Sequence, residues 1–249
     1  MSETDAETKD KPKKEKKAKK QKPIRLFPAN KKGYHIMHKL NFFRFLLYPW
    51  NSFFYPCKMF GHKKVGQGAY IYVGNHYSMW DIFYPARTTK EGVHYIAKES
   101  ITSAPVLRTW AKQIGAITAM RDGSDIRTLT DAMKCLKNGE KVALFPEGTR
   151  NKVSEEDFLP FHDGAALMSI KTKTPIIPFV VCSRPRVFKR VHVVFGEPFE
   201  LTEYYDRKLS REDYEEAEKI IRNRMYEIRD EHRAYLKEKK AGKKKKCKS

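Results

Sequence analysis

No stretch of the 249 residues approaches the ~20 consecutive apolar side chains that a helix needs to span a bilayer. The N-terminus is rich in Lys and Glu and has no apolar core of the kind a secretory leader carries, so no leader is expected. Cysteine is scarce: Cys57, Cys135, Cys182 and Cys247 form no Cys-x-x-Cys pair, and no Cys/His grouping has zinc-finger spacing. A disulfide framework and a structural metal are therefore not expected, and a reduced, cytosolic environment fits best. Gly-x-Ser-x-Gly is absent, as is a catalytic cysteine signature, so no protein nucleophile is evident. There is no Gly-x4-Gly-Lys-[Ser/Thr] loop, which argues against nucleotide hydrolysis.

Negative charge is also short. Asp and Glu total 30 against 51 Lys and Arg, a formal charge of +21. A polyanionic partner follows, either nucleic acid or anionic lipid. Much of the excess is at the ends: Lys13, Lys14, Lys16, Lys17, Lys19 and Lys20 crowd one terminus, and Lys243 to Lys246 run together near the other. Such runs cannot build a core, so residues 1–33 and 239–249 are expected to be basic disordered tails. Residues 34–62 concentrate aromatics, including Phe42, Phe43, Phe45, Trp50, Phe53 and Phe54, among Lys39, Arg44 and Lys58. Ile36, Leu40, Phe43 and Leu47 fall near one helical face before Pro49 breaks or kinks it. The pattern predicts an amphipathic segment lying in a membrane interface. Packing of the same aromatics on the folded domain is the plainer alternative. Neighbouring lysines near an anionic leaflet would add roughly 1 kcal/mol each.

Residues 63–238 read as one domain in which short β-rich runs alternate with helical stretches. Strands are expected at 69–73, 93–97, 142–145, 176–181 and 191–195, with a weaker one within 114–120. Val142-Ala143-Leu144-Phe145 is continuously apolar, as a strand buried on both faces should be. Pro178 argues that its strand lies at an edge or carries a bulge. Helices are expected at 125–138, 164–173 and 211–237, the last with Ser210 as N-cap and Tyr214, Ala217, Ile221, Met225 and Ile228 as its buried stripe. The fold class is α/β, with a mixed, largely parallel central sheet flanked by helices.

Two motifs follow apolar runs. Asn75-His76-x4-Asp81 begins where the strand at 69–73 ends. The C-terminal edge of a parallel sheet is where α/β folds place ligand sites. Neutral imidazole removes a hydroxyl proton near pH 7, and a carboxylate on its other nitrogen fixes the tautomer. A helix beginning at Met79 would turn Asp81 back towards His76, and the Asn75 side chain could hold the turn. The bland alternative is a turn with Asp81 facing a helix N-terminus. Phe145-Pro146-Glu147-Gly148-Thr149-Arg150 leaves the next buried strand. Gly148 permits a left-handed turn, Arg150 can hold a phosphate bidentately and Thr149 can add a donor. Glu147 either organises this turn or touches the acceptor.

In register, these motifs resemble the glycerolipid acyltransferase family, of the type that acylates 1-acylglycerol-3-phosphate. Gly115-Ala116-Ile117-Thr118-Ala119-Met120-Arg121 looks like its second motif, and Thr174-Pro175-Ile176-Ile177-Pro178 like its fourth. Asn151 stands where serine is common. The resemblance implies His76 as general base and Asp81 as its orienting carboxylate. It implies Arg121, Glu147, Gly148, Thr149 and Arg150 as acceptor-binding residues, with Lys98 as a further cation. The Glu147–Gly148 turn is a candidate oxyanion hole, and Trp80, Phe83 and Tyr84 would border an acyl-chain tunnel. No cofactor or metal is implied. The acyl donor would be acyl-CoA or acyl carrier protein, the acceptor lysophosphatidate, and the product phosphatidic acid. The implied place is the cytoplasmic face of the cell membrane, peripheral or monotopic, on anionic lipid. Glycerol-3-phosphate or another lysophospholipid is the alternative acceptor. A nucleic-acid-binding protein is the alternative of a different class, but no RNP, KH or zinc-finger motif appears.

Overall fold

The computed structural model describes residues 48–98, 116–119, 126–162 and 164–246. The strands are β1 Cys57–Gly61, β2 Tyr70–Gly74, β3 Val93–Lys98, β4 Ile117–Ala119, β5 Lys141–Leu144, β6 Ile176–Val181 and β7 Val191–Phe195. They form a seven-stranded sheet in the order β1-β7-β6-β2-β5-β3-β4. Every neighbouring pair is parallel except β6–β7. This is the mixed, largely parallel sheet that the alternating pattern predicts. The helices are α1 at residues 48–54, α2 Phe83–Ala86, α3 Ile126–Lys137, α4 Gly164–Thr172 and α5 Arg211–Lys246. No described helix is long and apolar enough to cross a membrane.

Strand side chains alternate between two cores. Ile71, Val73, Val142, Leu144, Ile176 and Val180 join residues of α3, α4 and α5 in one cluster. Tyr72, Ala143, Ile177, Phe179, Val181, Val193 and Phe195 point to the other face, onto Tyr77, Tyr84 and Tyr95. With both faces covered, β5 and β6 are buried along their whole length, which explains their unbroken apolar runs. A buried Lys141 opens β5. Its ammonium donates to Gly68 O at 3.0 Å and forms an ion pair with Glu91.

The structure departs from expectation at three points. β6 is interior, not an edge. The Pro178 carbonyl accepts from Gly196 N–H at 2.8 Å, and a strand residue's N–H points the same way as its C=O. The missing proline donor therefore lies opposite Gly196, just past the last paired residue of β7. A side chain at Gly196 would press on the proline ring, its Cβ 2.8 Å from Pro178 Cγ. The alternation of faces continues through Pro178, so there is no bulge. Second, the sheet reaches into the segment expected to be interfacial: β1, Cys57–Gly61, is an edge strand parallel to β7. Third, α5 extends to Lys246, so the basic run read as the beginning of a disordered tail is helical through that residue. Lysine is a good helix former once a helix is already propagating.

Ser210 and Asp213 cap α5 reciprocally. Asp213 N–H donates to Ser210 Oγ at 3.3 Å, and Ser210 N–H donates to Asp213 Oδ2 at 2.7 Å. Further along, His232 docks the helix on β7, its Nε2 3.0 Å from His192 Nδ1 and its ring 4.3 Å from that of Phe60. Two imidazoles sharing one proton cannot both be cationic. Burial holds both below the ordinary 6.5, with Lys58 and Arg190 adding to the effect on His192 and His192 to that on His232. The unfolded chain therefore protonates first. The contact contributes fully above pH 6.5 and is lost as pH falls through the folded values. Taking the protein from about pH 7.5 to about pH 5.5 should lower the denaturant midpoint of the wild type more than that of His232→Phe. Equal drops would remove this role from the pair.

Candidate active site

β2 and β5 lie side by side and run parallel, so their C-terminal ends open at one edge of the sheet. His76 follows β2 and Phe145 to Arg150 follow β5. Asn75 continues the sheet beyond β2. Its Oδ1 accepts from Val181 N–H at 2.8 Å, and its Nδ2 donates to Val181 O at 3.1 Å. The amide side chain thus mimics one more peptide of the ladder, rather than holding a turn as the sequence suggests.

A 3-10 turn, Met79–Ile82, starts immediately after Ser78. Ser78 and Asp81 form its capping box, which aims the Asp81 carboxylate back at the preceding loop. Oδ2 accepts from Tyr77 N–H and Ser78 N–H, each at 2.6 Å, and lies 2.9 Å from His76 Nδ1. Asp81 is fully buried, and its other oxygen has no hydrogen-bond partner among the described residues. Burial pushes its pKa up, while donation from His76 and the two amides pulls the other way. Three donors on one oxygen favour the ionised form.

His76 is held by its main chain as well. Its N–H donates to Glu147 Oε1 at 3.0 Å, and its carbonyl accepts from Asn151 N–H at 2.7 Å. Its ring stacks on Phe145, with centroids 4.2 Å apart and planes 19° from parallel. The imidazole side chain is 19% exposed, and Nε2 has no hydrogen-bond partner among the described residues. Glu147 is buried, and its second oxygen accepts from Leu159 N–H at 3.0 Å. Burial raises its pKa, and the two amides oppose the rise. Both carboxylate oxygens thus hold backbone, which makes Glu147 an organiser of the turn. Asn151 shapes the loop that follows: Oδ1 accepts from Val153 and Ser154 N–H, each at 3.0 Å, and Nδ2 donates to Asp157 O at 2.8 Å.

Gly148 has φ +61°, and a Cβ there would sit 3.1 Å from the His162 ring. Its N–H donates to Phe145 O at 2.9 Å, so this amide is taken by the turn and is not available to an oxyanion. Thr149 and Arg150 are exposed beside it, without an ion pair or hydrogen bond among the described residues. Lys98 ends β3, the strand parallel to β5. Arg121 lies outside the described residues. Tyr84 and Phe83 are buried, and Trp80 stacks on Phe83 and packs against Tyr55 at 5.0 Å.

Arg184 was not legible as a site residue. It follows β6, the other neighbour of β2, and its guanidinium carbon lies 6.0 Å from the Tyr77 ring centroid. Its Nε is buried, 3.8 Å from Glu155 Oε1, and makes no hydrogen bond among the described residues. The only available signal was its place, just after a strand bordering the His76 strand. Elsewhere, around the start of β3, ligand-type atoms of His94, Cys135 and Glu140 lie within 4.8 Å of one another. Burial and Glu140 push the Cys135 thiol up to about 12, so it sits there as a protonated hydrogen-bonding group.

A family model described as Acyltransferase matches residues 57–182. A 1-acyl-sn-glycerol-3-phosphate acyltransferase of Saccharomyces cerevisiae is 31% identical over 142 residues, covering 56% of this chain and 47% of that protein. One of Helicobacter pylori is 33% identical over 131 residues, covering 51% and 55%. The chain thus spans about half the length of these relatives. The crystal structure of the 1-acyl-sn-glycerophosphate acyltransferase from Thermotoga maritima superposes with a TM-score of 0.58 at 20% identity, over 81% of this chain and 83% of that one. That likeness is one of fold. The family match begins with β1 and ends just past β6, enclosing both loops that hold His76, and the chain belongs to the acyltransferase family.

Proposed function

We propose that the protein is a 1-acylglycerol-3-phosphate O-acyltransferase, moving a fatty acyl group from a thioester to the sn-2 hydroxyl of lysophosphatidate and producing phosphatidic acid. The observation that carries this reading is the His76–Asp81 pair: Nδ1 is fixed at 2.9 Å by a buried carboxylate, while Nε2 of the partly exposed ring has no hydrogen-bond partner among the described residues. That leaves one basic nitrogen for an incoming hydroxyl. The names borne by the relatives support the choice of acceptor.

Nε2 takes the hydroxyl proton as the alkoxide oxygen attacks the thioester carbonyl. The tetrahedral oxyanion collapses, the C–S bond breaks, and the departing thiolate receives the proton from the imidazolium. Asp81 keeps the tautomer and stabilises the cation. Glu147 is a positioning residue that acts through the His76 backbone. Arg150, with Arg121 and Lys98, is assigned to the acceptor phosphate, where a guanidinium can make paired charge-assisted hydrogen bonds. The donor is acyl-CoA or acyl carrier protein, and no cofactor takes part. The enzyme works at the cytoplasmic face of the membrane, bound peripherally.

Purified protein should acylate lysophosphatidate in preference to glycerol-3-phosphate when each is offered with both donors and the lipids are extracted. His76→Ala should lower transfer by about 10²–10⁴-fold with the fold intact, and full activity in that variant would refute the mechanism. Asp81→Asn should lower kcat by a similar factor, because a donor replaces an acceptor opposite Tyr77 and Ser78 N–H. Glu147→Gln sets an amide donor against one of two N–H groups. It should cost about 1–3 kcal/mol of stability and about 10²-fold in kcat; unchanged kcat would show that the His76 backbone needs no such clamp. Arg150→Ala should raise the acceptor KM about tenfold or more with little change in kcat, and an unchanged KM would remove its phosphate role.

A further inference from the structure

We propose that the tip of the β6–β7 hairpin, Arg186 to Arg190, is one half of a membrane-docking surface whose other half is α1, and that the occupant is an anionic lipid leaflet. The proposal extends the membrane-surface part of the reading above to a loop that lies outside the aromatic segment. Phe188 is 63% exposed at φ +58°, a backbone conformation that bulky side chains rarely adopt. The tip is fixed all the same. Phe188 N–H donates to Phe54 O at 2.7 Å, and Lys189 N–H closes back on Arg186 O at 3.0 Å. The Phe188 ring lies 5.6 Å from the rings of both Phe53 and Phe54, and Trp50 lies 4.6 Å from Phe54. Trp50, Phe53, Val187 and Phe188 thus form one contiguous exposed apolar patch, at 61%, 67%, 49% and 63% exposure. A patch of connected large apolar side chains marks a binding surface, unlike scattered exposed residues.

The rim of the patch decides what binds. Arg186, Lys189 and Arg190 are exposed and make no ion pair among the described residues. Aromatics ringed by unpaired Lys and Arg are the composition of an interface with anionic lipid. An acidic carrier protein would answer the cations but would leave four exposed apolar side chains without a partner. The patch is anchored to the body. Arg87 donates to Asn51 Oδ1 and Ser52 Oγ of α1, each at 2.9 Å. It is also continuous with the site: Tyr55, just past α1, packs on Trp80 in the turn that carries Asp81. A leaflet resting on this patch meets the rim of the loop that holds His76.

The test uses the full chain and vesicles of phosphatidylcholine alone or with phosphatidylserine, an anionic lipid that is neither substrate nor product of the proposed reaction, read by flotation. Asparagine tolerates a left-handed backbone, so Val187→Ser with Phe188→Asn removes apolar surface without new strain. Its affinity for the anionic vesicles should fall about tenfold or more, with an unchanged circular dichroism spectrum. Arg186→Gln with Lys189→Gln and Arg190→Gln should weaken binding to anionic vesicles only and flatten its salt dependence. Wild-type vesicle affinity in both variants would overturn the proposal. A raised KM for acyl carrier protein with unaltered vesicle binding would overturn it too, and would assign the tip to a protein. Vesicle binding needs no substrate, so loss of docking is read separately from transfer to a short-chain, water-soluble lysophosphatidate. Absence of that transfer in the wild type would count against the acyltransferase reading alone.

Discussion

His76 lies just past a central strand, in a stretch that in most α/β proteins would be an adjustable loop. Here its N–H is taken by Glu147, its C=O by Asn151 N–H, its ring by Phe145 and its Nδ1 by Asp81. Three of the four partners come from the segment after β5 and one from the turn after His76 itself. The position of Nε2 is therefore fixed relative to two neighbouring parallel strands. Reactions that need a hydroxyl, a base and a carbonyl within bonding reach gain most from such rigidity, because a misplacement of about 1 Å can cost about 10²-fold in rate. Asn75 completes the arrangement by extending the β2–β6 ladder one step further, so the residue before His76 is held like a strand residue.

Asp81 joins two requirements in one carboxylate. As the third residue of a short helical turn it closes a capping box with Ser78, and with the same oxygen it orients the imidazole. A capping box alone would need no burial, and an orienting carboxylate alone would need no cap. Sharing one oxygen ties the imidazole orientation to the formation of the turn. The turn in turn packs through Trp80 on Tyr55, and Phe83 at the start of α2 packs on Tyr48, so the aromatic segment and the base are parts of one mechanical unit.

The sequence revealed what side chains encode. β5 and β6 were legible because burial on both faces demands unbroken apolar runs, β2 and β7 because β-branched and aromatic residues dominate them, and α5 because Ala217, Ile221 and Met225 keep a helical period. β1 was not legible: it is an edge strand bonded to β7 alone, so Lys58 can sit in it, and its aromatic surroundings suggested an interfacial segment instead. The helical continuation to Lys246 was hidden because lysine runs look alike in a helix and in a tail. His76 and Asp81 could be found from spacing. Their support could not, because most of it comes from backbone amides of Tyr77, Ser78, Asn151 and Leu159, which any residue type would supply. The role of Glu147 follows from the last of these: its motif position places it at the site, but the donors that occupy its oxygens, His76 N–H and Leu159 N–H, are set by the fold.

The distribution of charge then constrains how the anionic acceptor of the proposed reaction must enter. Asp81 and Glu147 are buried beside His76, and burial raises both, with His76 the one titratable cation opposing the rise among the described residues. This interior favours a positive charge developing on His76 and disfavours any second anion brought close to it. A phosphomonoester pushed in first would face two buried carboxylates. Arginines are found further out: Arg150 is exposed past the Glu147 turn, and Arg184 is half-buried near the Tyr77 ring with its Nε unpaired among the described residues. In the acyl transfer we propose, a lysophosphatidate would therefore bind with its phosphate towards the arginine rim and its uncharged hydroxyl towards Nε2. In that orientation its acyl chain would be left to the side where Trp80 packs on Tyr55, just past α1, and the exposed aromatics begin. In the proposed reaction the orientation of the substrate is thus set by the field of the site as much as by contact, with negative charge inside, positive charge at the rim and apolar surface beyond.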